Sequence, residues 1–249
     1  MELSKRLGTV AEAVTAGCRV ADVGTDHGYV PIYLVREKGC KKAYAMDVNK
    51  GPLERAEAHI RMEGMEDVIE VRRGDGLSAL EPEEADSVVI AGMGGELICR
   101  ILREASRFLE AGTEFVLQPQ SEWFKVRHLL HEAGYRIAKE WFLKEEGKYY
   151  VVLKALPAGE EKEQYEEEFC YEYGASLLRE RHPVLLEYLQ KEVEKREHIL
   201  EKMRRAASGE KKAKKTEERN VETRERRCRE LEKEIKKIKE YLDENPGGA

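Results

Sequence analysis

The sequence predicts an α/β protein: a doubly wound, Rossmann-like sheet over residues 1–156, followed over 157–249 by an α-helical coiled-coil hairpin domain. Three observations carry this expectation. Short apolar runs rich in β-branched residues alternate with helix-sized segments as far as residue 117, the punctuation of a parallel sheet joined by right-handed crossovers. The run "RVADV" passes straight into "GTDHGYVP", a strand ending in a glycine turn before a helix, which is where doubly wound sheets bind ligands. Beyond "PAG" at 157–159 the strand-like runs cease and the text becomes Glu, Lys, Arg and spaced aliphatics.

At the N-terminus, "LSKRLGTVAEAVTAG" sets Leu3, Leu7, Val10 and Val14 at helical spacing and stops at Gly17, a leading amphipathic helix. Strands follow at 19–23, 43–48, 68–72, 87–91 and 114–117, with helices at 30–38, 52–63, 96–108 and 122–132. "SVVIA" and "FVLQ" are continuous apolar runs, as strands covered on both faces require. "RIAKEWFL" and "KYYVVLKAL", joined by "KEEGK", read as a closing antiparallel hairpin. In the last part Cys228, Leu231, Ile235, Ile238 and Leu242 advance by alternating threes and fours, with Val221 one heptad earlier, the seam of a coiled coil. Leu186, Leu189, Val193, Leu200 and Met203 keep a similar rhythm, and the lysine-rich "SGEKKAKKT" separates the two series. Two helices folded back antiparallel with a basic tip account for this most simply, and a parallel dimeric zipper is the competitor. A monomer or a weak homodimer is expected.

The chain is 41 % apolar and 38 % charged; the charged share exceeds the usual quarter or so and fits one core with a solvated appendage. A formal net charge of -6 gives no overall attraction to nucleic acid. Between 202 and 239, however, sixteen basic residues face eight acidic ones, an excess that suits a polyanionic partner or a solvated helical face. Five scattered cysteines without CxxC spacing argue against a disulfide framework or a zinc site, so no metal is expected and the thiols read as those of a cytoplasmic protein. The start of the chain lacks the apolar run of a signal peptide, and no stretch approaches the roughly 20 apolar residues of a membrane span. No membrane association is expected.

Gly24, between Asp22 and Thr25, lets chain and ligand approach closely at the end of the first strand. Neither GxGxxG nor GxxxxGK[ST] occurs, which argues against NAD and nucleoside triphosphates. Asp47, followed by Val48, closes the second strand about twenty residues further on, where an acidic side chain can hold two ribose hydroxyls. In "RRGDG" Gly74 and Gly76 flank Asp75, a carboxylate able to accept a hydrogen bond from an adenine amino group. A ribose acceptor, an adenine acceptor and no phosphate cradle point together to S-adenosyl-L-methionine. In "IAGMGGE" the residues Gly92, Met93 and Gly94 either leave room for a cofactor methyl and a planar base to meet or form a plain glycine-rich turn. Gln118 and Gln120 in "LQPQS" either read a base edge or are polar turn residues around Pro119.

In order along the chain, "LSKRL", "ADVGTDHGYVP", "GPL", "VRRGDGL", "IAGMGGELI", "LQPQ", "EEGKYYVVL" and "YGASLLRERHPVLLEYLQKE" resemble the bacterial tRNA (adenine-22-N1)-methyltransferase family, from Leu3 to about Ile199. The resemblance implies a class I S-adenosylmethionine-dependent methyltransferase domain with a C-terminal coiled-coil domain, acting on N1 of an adenine in the tRNA D loop. The family pattern is "SDHAYLP" where this chain has Thr25 and Gly28, often has Glu in the place of Asp47, and reads "QPN" where Gln120 stands.

Adenine N1 carries a free lone pair in the neutral base, so methyl transfer needs no prior deprotonation. The base must be oriented and its developing positive charge offset. Asp26, just beyond Gly24, is the candidate catalytic residue for that electrostatic role. His27 holds Asp26, touches the ligand, or caps a helix start, and Tyr29 stacks on the base or belongs to the core. N1 lies on the Watson–Crick edge, so the base must come from a loop or be extruded. The tRNA partner requires basic contacts, for which Lys211, Lys212, Lys214 and Lys215 at the tip and Arg6 beside Lys5 are the candidates. Two other functions fit the same text: a small-molecule methyltransferase on this fold, and a non-catalytic RNA-binding or coiled-coil protein that keeps the domain for packing.

Overall fold

β1 (Arg19–Val23), β2 (Lys42–Asp47), β3 (Ile69–Arg73), β4 (Ser87–Met93), β5 (Glu114–Pro119), β6 (Tyr135–Glu145) and β7 (Lys148–Pro157) form a single sheet in the order β3-β2-β1-β4-β5-β7-β6. The structure is a computed structural model and describes residues 3–159, 164–209 and 218–244. β1 to β5 are parallel, and β7 runs antiparallel between β5 and β6. The winding reverses between β1 and β4, so a crevice opens at the carboxyl ends of those two strands.

Three helices share one core with one face of the sheet: α1 (Lys5–Ala13), α2 (Tyr29–Lys38) and α3 (Lys50–Met62). Val10, Ala11, Ile32, Leu34, Ala56 and Ile60 pack there with Val20, Ala43, Ala45, Val89 and Val116. The two-residue period of a strand turns the buried Val88, Ile90, Phe115 and Leu117 to the other face. On that side α4 (Gly95–Glu104) packs on β4 and β5, followed by α5 (Ser106–Glu110), while α6 (Trp123–Glu132) packs on α4 and β6.

Helix α1 begins at Ser4, whose Oγ accepts the Leu7 amide at 3.3 Å. It ends at Ala13, short of the expected Gly17, because the buried Glu114 carboxylate takes the Thr15 amide at 3.0 Å and its hydroxyl as well. The single helix expected over 96–108 is broken at Ala105. The break lets Phe108 enter the core and sends Arg107 to the carbonyls of Leu77 and Leu80, at 2.9 and 2.7 Å. β4 runs two residues further than expected, to Met93, with a bulge against β5 between Ala91 and Met93. Gly92 supplies the bulge through its left-handed φ of +80°.

The chain forms two compact units, residues 1–180 and 181–249. Strand text ends at Pro157, but α7 (Glu168–Tyr173) and α8 (Ala175–Arg179) still pack on α6 and β6. A buried ion pair fixes them: Arg127 Nε lies 2.7 Å from Glu140 Oε1, and Arg127 Nη1 donates to the Tyr171 and Glu172 carbonyls at 2.8 and 3.2 Å. In the second unit α9 (Pro183–Gly209) and α10 (Glu218–Asp243) pack side by side in opposite directions. The ion pairs Arg196–Glu234, Lys239–Glu197 and Arg204–Glu232 join them, and Arg181 Nη1 donates to the Tyr241 carbonyl at 2.8 Å. Leu231, Ile235 and Ile238 are buried on α10, as are Leu189, Val193 and Leu200 on α9, whose first buried leucine is Leu185 rather than Leu186. No helix among the described residues is long and apolar enough to cross a membrane.

Candidate active site

The site is built from the ends of β1 to β5. After Val23, Gly24 turns with a φ of +80°, and its amide and that of Thr25 both donate to the Met46 carbonyl at 2.8 Å, drawing the chain over the end of β2. A Cβ on Gly24 would meet the tip of the Met93 side chain, so the ends of β1 and β4 lie close here, and the left-handed φ is what favours glycine. Asp22 and Thr25 are buried beneath the turn. Burial pushes the Asp22 carboxyl up to about 6, Thr25 pulls it back, and the Asp47 carboxylate adds to the rise. The folded chain thus holds this proton more tightly than the unfolded chain does. Its contribution to stability is full below roughly pH 4 and is lost as the pH rises through about 6. Asp22→Asn is expected to abolish that loss, seen as a difference in denaturation midpoint between variant and parent that shifts in the variant's favour as the pH rises from about 4 to about 7.

Asp26 is exposed, with Oδ1 at 2.9 Å from Arg55 Nη2 and 3.6 Å from His27 Nε2. His27 and Gly28 are both left-handed, at φ +62° and +69°. Gly28 is the N-cap of α2 and no side chain caps that helix, so His27 does not serve as a cap. The rings of His27, Tyr29 and His59 lie nearly parallel, with centroids 5.2 to 5.3 Å apart. Tyr29 therefore belongs to a half-buried aromatic cluster at the site's edge and not to the core.

Asp47 ends β2, with one carboxylate oxygen accepting the Asn49 amide at 2.6 Å. Val48 beyond it is exposed, and its carbonyl takes Arg73 Nε at 3.0 Å. The Gly74 amide donates to the Asp47 carbonyl at 3.2 Å, which sets Asp75 beside Asp47. A Cβ on Gly74 would lie 2.8 Å from that of Ala79, and one on Gly76 would lie 3.0 Å from Ile101. Asp75 is exposed, 3.7 Å from Arg100 Nη2, a neighbour that nothing in the local sequence announces.

Gln118 is fully buried. Its Oε1 accepts from Arg6 Nη1 at 2.8 Å and from the Gly92 amide at 3.1 Å, and its Nε2 donates to the Pro119 carbonyl at 3.2 Å. The expectation that it reads a base edge is corrected by this burial: Gln118 holds Arg6 and the β4 bulge in place. Arg6 also lies 5.6 Å over the Tyr150 ring, and Glu145 accepts the amides of Lys5 and Arg6 at 2.5 and 3.3 Å. A Cβ on Gly92 would have Arg6 Nη1 and Gln120 Nε2 each at 3.8 Å. Gly94 is the N-cap of α4, and the following Gly95 admits the Ser121 carbonyl to 2.5 Å of where its Cβ would be. Lys211, Lys212, Lys214 and Lys215 lie outside the described residues. Arg55, His59, Arg100, Glu145 and Tyr150 were not among the residues expected from the sequence. Arg55 and His59 are four apart on one helix, a signal visible only once the fold shows which face they share.

No group of three or more His, Cys, Asp or Glu among the described residues is placed to hold a metal ion. The residues present suit S-adenosylmethionine: a glycine turn that a Cβ would fill, an acidic side chain closing β2 for a diol, and a second carboxylate between glycines for an amino group. The seven-stranded sheet with its antiparallel β7, and this site at its switch point, define a class I S-adenosylmethionine-dependent methyltransferase. The model of the TrmK family, described as tRNA (adenine(22)-N(1))-methyltransferase, matches residues 20–240. The Bacillus subtilis (strain 168) enzyme of that name is 35 % identical over 218 residues, 86 % of this chain and 91 % of its own. A Streptococcus pneumoniae protein solved in complex with S-adenosyl-L-methionine is 34 % identical with a TM-score of 0.79, covering 97 % of this chain and 100 % of that one. M. capricolum TrmK, solved with S-adenosyl-homocysteine, is 26 % identical with a TM-score of 0.78, over 98 % and 99 % of the two chains. This chain belongs to the tRNA (adenine(22)-N(1))-methyltransferase family.

Proposed function

We propose that this chain methylates N1 of adenine 22 in the D loop of tRNA, with Asp26 as the residue that favours the transition state. The observation that supports it best is the placing of Asp26, Asp47, Asp75 and the Gly92 bulge at or just beyond the carboxyl ends of the parallel strands β1 to β4, with no phosphate-cradle motif in the sequence. S-adenosylmethionine, when bound, supplies a methyl group made electrophilic by its sulfonium. Asp47 takes the ribose hydroxyls, and Asp75, released from Arg100, takes the adenine amino group. Asp22, Thr25, Val48 and Met93 shape the walls, with Gly24, Gly74, Gly76 and Gly92 keeping the backbone clear. His27 adjoins the cofactor. Asp26 orients the target base and offsets the positive charge it gains; no residue has to remove a proton first.

Nucleoside mass spectrometry of tRNA incubated with the chain and cofactor tests this directly: 1-methyladenosine at position 22 is expected, and its absence sinks the assignment. Asp47→Ala and Asp75→Ala are each expected to weaken cofactor binding by about 1–3 kcal/mol, as for hydrogen bonds to charged groups. Calorimetric titration checks this, and unchanged affinity in both variants would remove them from the cofactor site.

The antiparallel α9 and α10 form a coiled-coil hairpin in this proposal, and its basic residues engage the phosphates of tRNA in the cytoplasm, the chain acting as a monomer or weak homodimer. Affinity for tRNA is then expected to fall with salt, with a log–log slope of about -0.7 to -0.9 per phosphate neutralised. Replacing Lys211, Lys212, Lys214 and Lys215 by Gln should flatten that slope and raise the KM for tRNA while turnover persists. A wild-type slope in the four-fold variant would move the RNA surface elsewhere, first to Lys5, Arg6 and Gly94.

A further inference from the structure

The turn that carries Asp26 is held from outside by one helical turn of α3. Arg55 Nη2 is 2.9 Å from Asp26 Oδ1. Ala56 packs so closely that a Cβ on Gly28 would lie 3.3 Å from its own Cβ. His59 Nδ1 is 2.9 Å from the His27 carbonyl oxygen, and its ring stacks on those of His27 and Tyr29. A carbonyl oxygen only accepts, so Nδ1 carries the proton and His59 is the donor. The residue it grips is one of the four non-glycine residues among those described with a positive φ. Left-handed backbone at such a residue costs free energy and persists only where its surroundings impose it. Here the imposed conformation separates Asp26 from the start of α2 at Tyr29, and so sets where the Asp26 carboxylate stands.

We propose that His59 is a positioning residue for methyl transfer: through its Nδ1–H on the His27 carbonyl it fixes the left-handed turn and with it the direction of Asp26. The inference rests on the role given to Asp26 above. Its chemistry can be divided, because two features of His59 are separable by substitution. His59→Phe keeps a ring to stack but loses the donor. His59→Asn loses the ring but places an amide N–H close to where Nδ1 was, whereas His59→Gln moves that amide outward to the position of Nε2.

The experiment is single-turnover methylation of tRNA by the full chain at saturating cofactor and tRNA, with cofactor and tRNA affinities and thermal midpoints measured for each variant. His59→Phe and His59→Gln are expected to slow the methyl-transfer step by about 10-fold, less than the 100-fold that an ångström of misplacement can cost, with both affinities unchanged. His59→Asn is expected to recover to within about 3-fold of the parent rate, a rescue that a merely structural role would not produce. Adding His59→Phe to Asp26→Asn should then cost nothing further, as for two residues acting through one another. A parent rate in His59→Phe, a His59→Asn variant as slow as His59→Phe, or full additivity with Asp26→Asn each overturns the proposal. Failure of the underlying reading looks different: there Asp26→Asn itself keeps the parent rate, and the coupling to His59 has nothing to act through.

Discussion

Asp26→Asn is expected to slow methyl transfer by about 100-fold, the low end of the loss seen when one preorganised electrostatic partner of a transition state is removed. The low end is appropriate because the Asp26 side chain is 64 % exposed and partly screened before substrate covers it. An asparagine keeps the shape and still accepts a hydrogen bond from Arg55, so what changes is charge alone. The effect should fall on the single-turnover rate, with the affinities for tRNA and cofactor nearly unchanged, since the charge it offsets develops only as the base is alkylated. A variant with the parent rate would exclude Asp26 from catalysis.

The largest effect on stability is expected at Glu140→Ala. Arg127 and Glu140 have side chains 0 % and 1 % exposed and lie 2.7 Å apart. Removal of the carboxylate strands a guanidinium in the interior, which costs about 3–5 kcal/mol. Ser176 loses its acceptor as well, since its hydroxyl donates to Glu140 Oε2 at 3.1 Å. Urea denaturation should show the shift in midpoint with little change in slope. Replacing both members, as Arg127→Met with Glu140→Leu, should recover only part of the loss, because the Tyr171 and Glu172 carbonyls would still lack their donor. A midpoint unmoved by Glu140→Ala would show that this pair does not hold α7 and α8 to the sheet.

The sheet was legible because its strands are short apolar runs with turn residues at both ends, a pattern set by burial on two faces. The parallel order and the closing hairpin follow from that text, as does the placing of Gly24, Asp26, Asp47 and Asp75 at strand ends. What escaped the sequence is what depends on distant partners. The end of α1 is decided by Glu114, 99 residues away, and no local signal at Thr15 foretells it. Gln118 read as an accessible amide, on a base edge or in a polar turn, because a glutamine beside a proline usually is exposed. It is instead buried under Arg6, 112 residues back along the chain. The bulge at Gly92 and the break at Ala105 were hidden for the same reason: glycine and alanine state what a backbone can do, and the neighbours choose. Arg55 and His59 were passed over because a polar pair one turn apart on a helix ordinarily faces solvent.

The docking of α1 has a consequence for how this protein is made. The helix is synthesised before every strand of the sheet, yet its anchors Gln118, Glu145 and Tyr150 come from the last three strands. A chain emerging N-terminus first therefore carries β1 to β4 and their carboxylates well before Arg6 has anything to rest on. Loop closure over such separations is costly and slow, so the wall beside Gly92 is completed only when the terminal hairpin has formed. Arg6 gains its contacts with Glu145 and Tyr150 only once β6 and β7 are paired, so the hairpin turn near Gly147 acts as the clasp of that wall.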